Sequence, residues 1–390
     1  MQKFIDIGFK SINHFGEELC GDKVDIIHSE NSKILILADG MGSGIRANIF
    51  ATLTSKILGT MFKSELNIED AIETIAKTLP VSSVNGVAYC TFSLLQIFNT
   101  GEVYIVEYDN PMCIFIRDGE LSPIPFKERF VSEKVIREAR FMSQLNDAFV
   151  LMSDGCIYCG TGEVMNYGWD WNQVAKFALK TYNQTYSATH MAKVINKACD
   201  DLYMQSPSDD TTVAVARILE EKIVNIMTGP PEDEVDDHRM ATEFMSQKGI
   251  KIVSGGVTSQ IISKYLNKPI ESVHDHLDPD IPPISKIEGV DLVTEGIITL
   301  NHVIKILKLY NQNDVPMELF DELAKNNGAS KIANLLIEKC NTVNIFVGRA
   351  VNNNYTHKTL PFEITARKNI TKELEDILRA MDKKVNLFFY

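Results

Sequence analysis

Positive charge is in short supply. The 390-residue sequence sets 39 Lys and Arg against 52 Asp and Glu, a net charge of −13, and no arginine occurs before Arg46. A surface of that sign repels nucleic acid and anionic lipid, and no local basic cluster offsets it, so neither is an expected partner. No uninterrupted apolar run approaches the roughly 18 residues of a spanning helix. Met1-Gln2-Lys3 opens no basic-then-apolar leader, which makes the cytoplasm the expected location. The seven cysteines are an odd, scattered set, which argues for reduced thiols over a disulfide framework. Low-complexity segments and short repeats are also missing. With 45% apolar and 23% charged residues, what remains is a globular chain long enough for two cores.

The pattern changes near residue 220. Before it, "YCTFSLLQIF" (89–98), a turn at Asn99-Thr100-Gly101, "EVYIVEY" and "MCIFIRDGE" read as strands and hairpins. Helical stretches flank them. "IRANIFATLTSKILGTMF" places Phe50, Leu53, Ile57 and Met61 on one stripe, and "NIEDAIETIAKTLP" places Ile68, Ala71, Ile72 and Ile75 on another, with Asn67 as N-cap and Pro80 as terminator. "NQVAKFALKTY" and "SATHMAKVINKACDDLYM" follow. Strands grouped between helix pairs predict an α/β/β/α sandwich over residues 1–219. Beyond it the rhythm is strand, glycine loop, helix: "KIVNIM" leads to Thr228-Gly229-Pro230, "IKIVS" to Gly255-Gly256, "VDLV" to Thr294-Glu295-Gly296 and "VNIFV" to Gly348-Arg349. That alternation predicts a smaller α/β domain with a mainly parallel sheet over residues 220–390.

The chemistry concentrates at strand ends. "ILILADGMGSG" ends an apolar strand in Asp39-Gly40, "AFVLMSDGC" ends another in Asp154-Gly155, Asp209 and Asp210 precede "TTVAVARI", and Asp22 opens the strand of "LCGDKVDII". Singly, an Asp-Gly is most often a turn. Together, carboxylates on rigid strand ends can converge as hard oxygen ligands for Mg²⁺ or Mn²⁺.

In order and spacing, "GD", "DGMGSG", "SDG" and "DDTT" resemble the metal-dependent protein phosphatases (the PPM or type 2C family), in particular their bacterial SpoIIE-like branch, over about residues 1–219. The resemblance implies a two-metal centre of Mn²⁺ or Mg²⁺. Asp22 and Asp39 would be ligands, Asp39 bridging and the Gly40 carbonyl completing one shell. Asp154 and Asp209 would hold the second ion, with Asp210 as the substitute for Asp209. It also implies a phosphoprotein substrate, modified on serine or threonine, and a switch element in the two helices of residues 45–80. The eukaryotic members carry a histidine where this chain has Met41 and an amino-terminal phosphate-binding arginine that is absent here. Lys10 or His14 are the available cations, although a solvated side chain is the simpler reading of each.

Cys156 and Cys159 form a Cys-x-x-Cys pair, but they sit among turn residues and read as small buried hydrophobes more readily than as a redox couple. "HDHLDPD" (274–280) has metal-ligand residue types at a spacing that fits no closed zinc site, among prolines that suggest an exposed loop. The whole-chain reading is a metal-dependent serine/threonine protein phosphatase with a carboxy-terminal sensing or docking domain. The alternatives are an idle binding module on the same fold and a hydrolase of small phosphorylated metabolites.

For residues 220–390 pattern alone speaks. Ligands of open parallel sheets bind outside the strands' carboxyl ends, where the glycine loops fall. Gly255 and Gly256 permit close approach, Thr258 and Ser259 open a helix whose free N–H groups favour an anion, Arg349 could close over the same point and Glu295 could accept from a hydroxyl or amine. This marks a candidate site for a phosphate- or carboxylate-bearing regulator. Ordinary structural turns, or a docking or homodimerisation module, are the competing readings.

Overall fold

Along β3 (Ser32–Gly40), Ile34, Ile36 and Ala38 enter one apolar cluster while Leu35 and Leu37 enter another. A strand whose alternate residues are buried on opposite faces must lie between two layers. It belongs to a six-stranded antiparallel sheet ordered β2 (Asp22–His28), β3, β4 (Cys90–Phe98), β5 (Glu102–Tyr108), β9 (Lys134–Met142), β8 (Lys127–Val131). A second antiparallel sheet runs β1 (Lys3–Ile12), β11 (Thr211–Glu220), β10 (Ala148–Met152), β6 (Ile114–Arg117), β7 (Glu120–Ser122). Leu35, Leu37, Leu95, Phe149, Leu151 and Ala216 fill the space between the sheets. Helices α1 (Gly44–Lys63) and α2 (Ile68–Thr78) pack outside the first sheet; α4 (Trp171–Tyr182) and α5 (Ala188–Leu202) pack outside the second, and the one-turn α3 spans Gly155–Tyr158. The α/β/β/α sandwich follows.

These relations come from a computed structural model that describes residues 3–64, 66–78, 90–131, 134–161, 169–273, 281–312, 316–350, 362–381 and 383–390. The chain packs as two units, Met1–Glu220 and Glu221–Tyr390. Pro80 and the "HDHLDPD" segment lie outside the described residues. Among those described, no helix is long and apolar enough to cross a membrane.

Helix α2 buries Ile68, Ala71, Ile72 and Ile75, as its spacing predicts, and the Asn67 side chain accepts from the Asp70 N–H at 2.9 Å. Helix α1 corrects the sequence. Its core face is Ala47, Ala51, Thr54, Ser55, Leu58 and Phe62, whereas Leu53 is 41% exposed and Phe50, Ile57 and Met61 are only partly buried. The cause is distance. A Cβ on Gly40 would stand 2.1 Å from the Ala47 carbonyl oxygen, so helix and strand touch backbone to backbone and admit only small side chains on the contact row. The larger apolar residues are turned outward, and Ile45, Ile49 and Leu53 make an exposed row at a spacing of four.

In the second unit the sheet order is β14 (Glu271–Ser272), β15 (Ser285–Lys286), β16 (Leu292–Thr294), β13 (Ile250–Ser254), β12 (Ile223–Thr228), β17 (Thr342–Val347), β18 (Lys384–Phe389). The pairs from β16 to β18 are parallel and the two short edge strands antiparallel. Helices α6 (Asp237–Ser246) and α7 (Gly256–Leu266) cover one face; α8 (Ile297–Tyr310), α10 (Gly328–Glu338) and α11 (Phe362–Ala380) cover the other, with α9 (Met317–Ala324) beside them. The mainly parallel α/β sheet is as expected.

The reassigned face of α1 is testable. Ala51→Leu should overpack the helix–sheet contact and cost about 1–3 kcal/mol, while Leu53→Ala should change stability by about 0.5 kcal/mol or less. Denaturant titration of both variants checks the contrast.

Candidate functional site

The antiparallel register of β2 and β3 sets Asp22 opposite Asp39. In the other sheet, Asp154 follows β10 and Asp209 and Asp210 precede β11, and those two strands are paired neighbours. Each sheet therefore delivers its carboxylates from one adjacent strand pair. Asp39, Asp154 and Asp209 line a common cleft of about 280 Å³ together with Met41, Gly42, Cys90, Thr91, Asp109 and Asn110. Asp22 and Asp210 lie deeper, 4% and 3% exposed.

Ser153 links the two sheets at this point. Its hydroxyl donates to Asp22 Oδ2 at 2.7 Å and accepts from the Thr212 N–H at 2.9 Å. Asp210 accepts from the His14 N–H at 3.0 Å, and its other oxygen stands where a Cβ on Gly21 would be 2.6 Å away. The Tyr203 hydroxyl donates to the Gly155 carbonyl at 2.8 Å, fixing the turn that carries Asp154. His14 is thus held beside Asp210 through its backbone, while Lys10 is exposed on β1.

Electrostatics here is dominated by burial and then by like charge. Burial raises the Asp39 carboxyl well above the usual carboxylate range, and repulsion from Asp22, Asp154, Asp209 and Asp210 raises it further. Burial also raises Asp22, against the pull of its hydrogen bonds to Ser153 and Thr212, and raises Asp154. Asp209 is pushed up to about 6 by burial and the nearby Asp154. Such a cluster is unfavourable without a cation. Two buried carboxylate oxygens, Asp22 Oδ1 and Asp210 Oδ2, have no hydrogen-bond partner, although buried polar atoms are ordinarily satisfied. The donor set is entirely hard oxygen, which suits Mg²⁺ or Mn²⁺. Among the described residues, no three His, Cys, Asp or Glu side chains already stand at the mutual spacing of a closed shell; the acids share a cleft without closing on one point.

Sequence reasoning missed Ser153, Tyr203 and the Asp109-Asn110 turn. Asn110, 4% exposed, accepts from the Thr91 hydroxyl at 2.8 Å and donates to Ser93 at 3.2 Å, while Asp109 holds a left-handed φ of 52°. The Asp-Asn-Pro run after a strand was the only local signal.

Cys156 lies within the one-turn α3 and Cys159 caps its end, and both are fully buried. Burial raises the Cys156 thiol, and a hydrogen bond with Cys199, then burial, raises Cys159. Protonated, inaccessible thiols are poor redox partners.

In the second unit, Gly255 follows β13 at φ 128° as the N-cap of α7, and Gly256, Thr258 and Ser259 lie in that helix's first turn. Glu295 lies beside them, its carboxylate oxygen 3.9 Å from where a Cβ on Gly256 would stand. Arg349 does not join this group. It follows β17, separated from β13 by β12, and its guanidinium lies over the Phe389 ring at 4.7 Å. The ring's π-face offers a cation contact, which draws the side chain toward the β18 edge.

The first unit is a PPM-type phosphatase fold with its acids gathered at paired strand ends. Residues 29–219 match the family model for Stage II sporulation protein E (SpoIIE), and this part of the chain belongs to that family, the SpoIIE-like branch of the PPM phosphatases. Among solved structures the chain is similar to the phosphatase domain of the cell fate determinant SpoIIE from Bacillus subtilis in a crystal form without domain swapping, at 18% identity and a TM-score of 0.43, covering 56% of this chain and 94% of that one. A Bacillus subtilis SpoIIE structure that adds a fragment of the regulatory domain gives 19% identity and a TM-score of 0.47, covering 56% and 64%. The catalytic domain of the serine threonine protein phosphatase PstP, in complex with two manganese ions, gives 17% identity and a TM-score of 0.37, covering 56% and 100%. No curated protein matches the chain.

The repulsion within the cleft has a measurable consequence. In the presence of a chelator at neutral pH, Asp39→Asn should raise the thermal midpoint by several degrees, because a carboxyl whose folded value is raised must take up a proton on folding and costs stability wherever the pH exceeds the unfolded carboxylate value. A midpoint that falls would show that Asp39 is stabilised by its neighbours instead.

Proposed function

We propose that residues 1–219 form a metal-dependent serine/threonine protein phosphatase. The observation that carries the reading is the set of carboxylates at paired strand ends, two of whose buried oxygens are without a partner. Asp22, Asp39 and the Gly40 carbonyl are the ligands proposed for one Mn²⁺ or Mg²⁺, and Asp39, Asp154 and Asp209 for the other, with Asp39 shared. Asp209 is preferred over Asp210 because it lines the cleft while Asp210 lies deeper. Bound together, two such ions supply Lewis-acid activation of a water nucleophile and neutralise charge on the phosphoryl oxygens.

The protein's own part is placement. Ser153 fixes the Asp22 carboxylate through one oxygen and leaves the other free. The contact of Ala47 with Gly40 holds the end of β3 against α1, so Asp39 cannot swing with a flexible loop. Thr91 and Asn110, tied to one another, floor the cleft with polar groups beside Asp39, and Met41, 46% exposed, stands at its rim. No leaving-group acid is assigned.

A phosphoprotein is favoured over a small metabolite by what surrounds the cleft. From Met41 the exposed row Ile45, Ile49 and Leu53 leads along α1, an apolar track that a small phosphorylated substrate would not use and a protein would cover. The carboxy-terminal unit is proposed as a sensing or docking module.

Turnover of a phosphorylated peptide should require Mn²⁺ or Mg²⁺, stop on addition of a chelator and fall in Asp39→Asn by more than the roughly 10–100-fold that loss of a group merely supporting a metal ligand costs. Steady-state kinetics with unchanged activity in that variant would remove the catalytic reading. If the substrate is a protein, Ile49→Glu should lower kcat/KM for a phosphoprotein at least about fivefold more than for an aryl phosphate, the equivalent of roughly 1 kcal/mol of lost docking. Equal loss on both substrates would favour a small-molecule hydrolase.

A further inference from the structure

The open crevice of a doubly wound sheet normally falls where neighbouring strands send their helices to opposite faces. In the second unit the order β16-β13-β12-β17-β18 meets this condition between β13, which feeds α7, and β16, which feeds α8, and again between β12, which feeds α6, and β17, which precedes α11. The β12/β17 point is shut. The Gly348 N–H donates to the Thr228 carbonyl at 3.0 Å, the Ala350 N–H donates to the Pro230 carbonyl at 3.1 Å, and a Cβ on Gly348 would collide with Pro230 at 2.0 Å. The start of α6 is also filled with its own acids, Glu234, Asp236 and Asp237.

One strand over, the chain does the opposite. β13 and β16 are parallel neighbours, and both run directly into helices, the 11-residue α7 and the 14-residue α8. The two helices begin at Gly255 and Gly296, neither of which offers a side-chain cap. The starts are in contact: a Cβ on Gly296 would lie 3.4 Å from the Gly255 Cα. Each helix leaves its first N–H groups without intrahelical partners and carries about half a positive charge there.

The side chains add an independent observation. Thr258, 1% exposed, has no partner for its hydroxyl, which lies 3.1 Å from the position a Cβ on Gly255 would take, at the mouth of the α7 N-terminus. Thr294, at the end of β16, and Thr299, in the first turn of α8, are 3% and 0% exposed and also have unpartnered hydroxyls. A buried hydroxyl left unbonded costs free energy, and the Thr258 hydroxyl beside Gly255 leaves a donor free at the mouth of the two helices. The metal cleft shows the converse, acceptors short of a cation. Glu295 is exposed beside Gly256 and would repel a bare anion, but it can accept from a donor attached to one.

We infer that the paired starts of α7 and α8 bind the phosphate or carboxylate of a small molecule that also carries a hydroxyl or amine, with Thr258 and Thr299 donating to the anionic group and Glu295 accepting from the neighbouring donor. The inference is independent of the phosphatase reading, since it concerns the second unit alone.

The test uses the full chain in chelator, so that no divalent ion draws phosphate to the amino-terminal acids, and titrates inorganic phosphate, glycerol 3-phosphate and glycerate by calorimetry. The expected result is binding of at least one probe, glycerol 3-phosphate more tightly than phosphate, with affinity falling about tenfold or more in Thr258→Val or Thr299→Val. Glu295→Gln, an exposed change that should not disturb folding, should tighten inorganic phosphate by removing a repelling charge. Without any probe, Thr258→Val should melt at a higher temperature than the parent, because a methyl replaces an unsatisfied hydroxyl. No binding by any of the three probes, binding indifferent to the threonine and Glu295 changes, or a lowered melting temperature for Thr258→Val would each overturn the site.

Discussion

The crowding of five carboxylates at a poorly solvated point, unfavourable through desolvation and then through mutual repulsion, is the constraint on which the amino-terminal unit turns. Asp39 feels Asp22, Asp154, Asp209 and Asp210 at once, in surroundings that screen charge poorly. Flexible loops would let such groups drift apart into water. Here each sits at the end of a strand that is hydrogen-bonded along its length, and the strands come from two different sheets whose facing surfaces are packed with Leu35, Leu37, Phe149 and Leu151. The apolar space between the sheets therefore does electrostatic service. It holds the acids together against their own repulsion, and leaves Asp22 Oδ1 and Asp210 Oδ2 short of a positive partner.

The same arrangement explains the composition of α1. Because the Ala47 backbone lies on Gly40, the helix cannot spend its bulky residues on the sheet. Ala47, Ala51, Thr54 and Ser55 make the contact, and Ile45, Ile49 and Leu53 are left facing out. One close approach thus fixes the strand end that carries Asp39 and leaves an apolar row on the outer face of α1. In the carboxy-terminal unit, glycine again decides how near two segments come. Gly348 closes the β12/β17 crevice, while Gly255 and Gly296 bring two uncapped helix starts together.

Much of this was legible in the residues. The apolar run Ile34 to Ala38, the turn at Asn99-Thr100-Gly101 and the strand, glycine, helix rhythm after residue 220 each correspond to an element of the structure. The acids were visible because an aspartate that ends an apolar run has a defined geometric meaning. What stayed hidden depended on distances between segments far apart in the chain. Hydrophobicity pointed to Phe50, Leu53, Ile57 and Met61 as the core face of α1, since nothing local reveals how close the sheet will come. Ser153 bridges to Asp22 across 131 positions, and an ordinary serine before an Asp-Gly carries no mark of it. Arg349 looked available to the glycine loop until the strand order placed β12 between them. The Thr258, Thr294 and Thr299 hydroxyls became informative only once their burial and lack of partners were known.

The central claim, that the strand-end acids form a two-ion centre, is tested most directly by anomalous scattering from crystals of the chain grown with Mn²⁺. Two peaks are predicted, about 3.5–4 Å apart, with Asp39 shared between them, Asp22 and the Gly40 carbonyl on one and Asp154 and Asp209 on the other. A cleft without anomalous density at saturating Mn²⁺, or a single ion that leaves Asp39 unshared, would contradict the account.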